Sequence, residues 1–172
     1  LMPILASKRA MGNAELQKSI LRWRRWPMVG LAFFLISMIH LGEWLILEFY
    51  PSSYREASWM LSFLILGLWP MILCATTDPI LYLRGKPWAP VIGNIIRCFH
   101  ILALPLVIKA YPDPMVAIAW VAVRDIPFWM CIQVGLWRKG YIFFHQDLAA
   151  TLFLVLCLFS THSGFRHLLE VI

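Results

Sequence analysis

Residues 115–137, MVAIAWVAVRDIPFWMCIQVGLW, decide how this chain is read. As an α-helix rising 1.5 Å per residue, the stretch is about 34 Å long, enough to cross a hydrocarbon core of ~30 Å. It is apolar except near its middle, where Arg124, Asp125 and Pro127 interrupt it. Charged side chains at that depth are costly against lipid, so both must face a bundle, a cavity or a partner subunit. The remaining segments have to supply those surroundings.

The composition makes the bilayer the solvent for nearly the whole chain. Of 172 residues, 61% are hydrophobic and 14% charged, and the mean hydropathy is +0.74. Soluble domains carry about a quarter charged residues. The expected fold class is therefore all-α, a polytopic transmembrane helical bundle of about five spans, at 27–49, 57–76, 90–110, 115–137 and 141–163. Residues 27–172 read as one transmembrane domain. Residues 1–26 read as a basic cytoplasmic tail, with an interfacial helix over 13–26 as the alternative, because Leu16, Ile20, Leu21 and Trp23 lie among Lys and Arg. Cys98, Cys131 and Cys157 fall inside apolar runs and Cys74 near the end of one, without CxxC spacing. All four read as small buried hydrophobes.

A formal charge of +6 would suggest nucleic acid in a soluble protein, but here topology accounts for it and no nucleic-acid partner is expected. Ten of the fifteen Lys and Arg fall on the N-terminal side of the spans, whereas Arg55, Lys109 and Arg166 fall on the other. That asymmetry places the N-terminus in the cytoplasm and the C-terminus outside, with a bacterial inner membrane as the expected location.

Depth measured from the cytoplasmic end of each span puts His40 at about 20 Å, His100 at about 15 Å, Arg124 at about 20 Å and Asp125 at about 18 Å. Arg97 lies nearer the inner headgroups and Glu43 higher. Glu43, Arg97, Arg124 and Asp125 are the expected polar network, serving to fix how the spans associate. Pro127 cannot donate to the Val123 carbonyl, which is expected to be left beside Arg124. On this reading the protein is an accessory or structural subunit of a larger membrane complex, in contact with lipid and other subunits. Nine Trp and eleven Phe provide faces for subunit, lipid or pigment contacts.

Three alternatives compete with it. His40 and His100, at similar depth on two spans, could ligate a b-type haem for electron transfer. His40, Glu43, Arg124 and Asp125 could form a proton or ion relay. His40 and Glu43, three apart on one helix face, could act as acid and base in a membrane-embedded enzyme.

Residues 27–30 (PMVG) and 90–93 (PVIG), with Tyr50-Pro51 and Tyr111-Pro112 closing the two runs, suggest a parallel repeat of two spans. Asp78-Pro79 closing a span, Gly93 and Arg97 opening the next, and Asp125 with Pro127-Phe128-Trp129 resemble elements of small uncharacterised bacterial membrane proteins. The resemblance covers spans two to four. It implies a helical bundle and transfers no activity.

Overall fold

A computed structural model describes residues 13–83, 85 and 87–171, and the side chains of 15–83, 85 and 87–160. These residues are helical, with no strand among them. Four segments are long and apolar enough to cross a membrane: Glu15–Phe49, Ser52–Leu83, Trp88–Ala110 and Pro114–Trp137. Phe144–Ser160 is a fifth, shorter apolar helix. The all-α bundle expected from composition is the fold.

The first segment is a single helix, α1 (Asn13–Phe49), and Pro27 lies inside it rather than opening it. Leu16, Ile20, Arg24, Met28, Ala32, Leu35, Ile36 and Ile39 are all buried, and their three- and four-residue spacing makes them one face. Residues 13–26 form the opening turns of this helix, with Leu16, Ile20 and Arg24 buried and Lys18, Arg22, Arg25 and Trp26 exposed. Burial of that face outweighs the hydrogen bond that Pro27 cannot make. Lys8, Arg9, Arg84 and Lys86 lie outside the described residues.

Spans two to four are assembled from shorter helices. The second comprises a 3-10 turn at Ser52–Tyr54, α2 (Arg55–Leu66), α3 (Trp69–Ala75) and α4 (Asp78–Leu83). The third comprises α5 (Trp88–Leu102) and α6 (Leu104–Ala110), and the fourth α7 (Pro114–Ala122), a 3-10 turn at Val123–Asp125 and α8 (Ile126–Trp137). Pro70, Pro105 and Pro127 each sit in the first turn after a break. A proline there lacks only an amide that the helix start would leave unbonded, so the breaks fall where its cost is least. The breaks in spans two and four touch: a Cβ on Gly67 would lie 2.6 Å from the Ala122 carbonyl oxygen. The first and third spans, which the repeat would equate, differ, since α1 is continuous and the third span is broken at Ala103.

At the end of α8 the Tyr141 amide donates to the Leu136 carbonyl and the Gly140 amide to the Trp137 carbonyl. This is a Schellman cap, with Gly140 at φ +77°, a conformation that glycine adopts without strain. The cap turns Tyr141 and Phe143 into the core and starts α9 (Phe144–Val171) beside the first turns of α1. The core has two centres. One gathers Leu16, Ile20, Leu81, Phe128, Leu136 and Phe143, the other Met28, Leu35, Ile65, Trp69, Leu73 and Leu154. Trp129 packs against both. Of the cysteines, Cys74 is buried and Cys131 and Cys157 are half-buried. Cys98 is exposed, contrary to expectation, because the outer face of α5 is uncovered.

Candidate functional site

Two carboxylates, Asp147 and Asp125, are fully buried, and each is held by arginine. The more elaborate cluster surrounds Asp147 in the first turn of α9. Its Oδ1 accepts from Arg24 Nη2 at 2.7 Å, and its Oδ2 accepts from Trp129 Nε1 at 3.0 Å and from Gln133 Nε2. Arg24 is itself only 2% exposed. Its Nε donates to Thr76 Oγ1 at 2.8 Å, Nη1 to Gln146 Oε1 at 3.3 Å and Nη2 also to the Leu73 carbonyl at 3.3 Å. The guanidinium lies 5.4 Å from the centre of the Phe143 ring. Gln146 Nε2 completes the set by donating to the Leu21 carbonyl at 2.9 Å. The cluster ties α1, the end of α3, α8 and α9 together through charge-assisted bonds, the strong class of protein hydrogen bond.

Asp125 lies in the 3-10 turn of span four. Arg97 Nε from α5 reaches Oδ1 at 2.6 Å, and Arg124 Nε approaches Oδ2 at 3.4 Å. Glycine makes this possible: a Cβ on Gly93 would lie 2.7 Å from Phe128 Cδ2, so its absence lets α5 press onto α8 one turn before Arg97. Arg97 also lies 5.7 Å from the centre of the Phe128 ring. The Val123 carbonyl is not left for Arg124, because the tightened turn brings the Ile126 amide to it. Two arginines share one carboxylate here, and their side chains remain 22% and 33% exposed. A surplus positive charge is therefore open to the surroundings of the bundle.

The structure joins Arg97, Arg124 and Asp125 and places the remaining candidates apart from them. His100 Nε2 lies 2.8 Å from the Trp120 carbonyl, Trp120 Nε1 donates to the His100 carbonyl at 2.9 Å, and the rings stack at 4.1 Å. Binding iron through Nε2 would require His100 to leave that arrangement. His40 and Glu43 are half-buried on α1 on either side of Gly42, where a Cβ would lie 2.6 Å from Leu61 Cδ2 of α2. No group of three or more His, Cys, Asp and Glu among the described residues is placed to hold a metal.

Sequence reading missed the Arg24–Asp147 cluster by assigning Arg24 to the tail and Asp147 to a polar lead-in. The pattern does carry the signal. Arg24 occupies the fourfold series Leu16, Ile20, Arg24, Met28, and Asp147 lies four residues before Thr151 and seven before Leu154. Thr151 Oγ1 accepts from Trp69 Nε1 at 2.9 Å, which extends the polar seam along the inner face of α9.

Comparison with protein-family models, with curated proteins and with solved structures gives no match to this chain.

Proposed function

We propose that the protein is an integral membrane structural subunit, whose buried ion pairs hold a bundle that presents its third span to another subunit of a larger complex. The observation carrying this reading is the state of Trp88–Ala110, where only 6% of the apolar window is buried and Asn94 is exposed on the outer face. An amide within a span is costly against hydrocarbon and gains from a partner that can hydrogen-bond it. Asn94 lines a shallow groove with Val91, Ile95, Cys98, Phe99 and Leu102, and the half-exposed Arg97 stands on the same helix. The committed state of both buried carboxylates favours clamping over proton transfer.

The orientation follows the basic residues. With Arg24 counted as part of the bundle rather than the tail, the balance on the two sides is nine against three, from the earlier ten against three. The N-terminus is cytoplasmic and the C-terminus outside, in a bacterial inner membrane.

Purification from native membrane in mild detergent tests the reading. A stoichiometric second subunit should co-purify and should be lost on Asn94→Leu, while the variant's melting temperature stays unchanged. A wild-type protein that runs as a lone monomer from native membrane would refute it.

A further inference from the structure

A cleft of about 1040 Å³ runs between α1 and α9, and its two walls change character in the same direction. The helices advance side by side from a common end: Gln17 bonds the carbonyl of Ile142, Gln146 that of Leu21, and Arg24 meets Asp147. On α1 the lining residues Lys18, Arg22, Arg25 and Val29 fall at positions i, i+4, i+7 and i+11, one face of the helix. On α9 the wall is His145, Ala149 and Phe153, again one face. Both walls are therefore basic or polar at the starting end and apolar about two to three turns farther on.

The charge on this cleft is uncompensated within it. Among the described residues no Asp or Glu lines it, and Asp147 behind the wall is committed to Arg24. Glu15, one turn before Lys18, lies outside the lining. The positive end of the α9 dipole adds to the same potential. Ala149 and Ala150 keep the apolar half open, where larger side chains would close it.

We propose that this cleft binds one anionic glycerophospholipid of the leaflet on the N-terminal side. The phosphate sits among Lys18, Arg22, Arg25 and His145, and an acyl chain lies between Val29 and Phe153. A zwitterionic lipid offers the same chain but an added cation at the headgroup, which the three basic residues repel. A soluble phosphate offers the anion without the chain. Basic clefts between helices at a membrane surface are the general setting in which anionic headgroups are held.

The test is native mass spectrometry of the full chain, delipidated in mild detergent and titrated with phosphatidylglycerol or phosphatidylcholine of identical chains. One phosphatidylglycerol should be retained at least about tenfold better than phosphatidylcholine. Arg22→Gln with Arg25→Gln should weaken it by about 30-fold, at about fivefold for each basic residue near an anionic headgroup. Ala149→Phe should also displace it with every charge in place, whereas Arg138→Gln, which lies against Trp88 on another face, should leave it unchanged. Equal retention of the two lipids, or retention insensitive to the arginine pair, would overturn the proposal. So would competition by glycerol phosphate at the lipid's own concentration, which would mark a phosphate site alone. The arginine pair is exposed and decides the matter if Ala149→Phe does not fold.

Discussion

Replacing Asp147 by Asn removes the charge at the centre of the most connected polar cluster while keeping nearly the same volume. Three donors converge on this carboxylate, from Arg24, Trp129 and Gln133. The neutral amide can satisfy two of them through its oxygen but turns an NH2 group toward the third. Arg24 keeps Thr76, Gln146 and the Leu73 carbonyl as acceptors, yet its full positive charge then lies buried without a counter-charge. Removing one partner of a buried pair costs about 3–5 kcal/mol. Arg24→Met costs a similar amount, about 3–5 kcal/mol, because the Asp147 carboxylate then lies buried without its counter-charge, with only Trp129 and Gln133 still donating to it. The double variant should recover about 2 kcal/mol relative to the sum of the singles. Reversible unfolding of the four proteins in mixed micelles, followed by helical circular dichroism, measures the cycle. Additive single effects, or an Asp147→Asn cost below that of an exposed control such as Glu48→Gln, would refute a clamping role for the cluster.

The second clamp makes a related forecast: Asp125→Asn should impair assembly, and Arg97→Gln should rescue it better than Arg124→Gln, because the Arg97 contact is 2.6 Å and the Arg124 contact 3.4 Å. Detergent-extractable folded protein provides the measure. Gly67→Ala should cost about 1–3 kcal/mol, since its Cβ would meet the Ala122 backbone at 2.6 Å, whereas Gly30→Ala, with nothing within 4 Å, should be neutral or stabilising. Thermal melts of the two alanine variants distinguish these outcomes. Reporter fusions after Gly85 and Gly140 should read cytoplasm and one after Ser53 the outside; the reverse pattern would invert the orientation drawn from the basic residues. Thiol labelling in detergent should modify Cys98 well before Cys74, because Cys74 is only 1% exposed, and equal rates would show that the α3 region opens.

What the sequence determined by itself follows from local physics. Unbroken apolar runs of about twenty residues, without the alternation of a barrel strand, leave the helix as the structure that satisfies each backbone amide within its own segment in a bilayer, and this fixed the class. Charge within residues 115–137 required a buried partner, and Arg97, Arg124 and Asp125 were found together because burying a lone charge is too costly at that depth. Pro127 marked an interruption of the fourth span through the amide it lacks.

Tertiary structure alone decided which charges are structural and which face outward. Arg22, Arg24 and Arg25 are neighbours in a basic segment, yet Arg24 is buried and the other two line a cleft. That division depends on the Schellman cap at Gly140 swinging Asp147 back against α1, a contact across more than a hundred residues. The same packing carried α1 straight through Pro27, where the local rule favoured a start. A stripe of buried side chains from Leu16 to Ile39 is held by α2, α3 and α9 together, and no window of sequence contains the partners that make continuing the helix favourable.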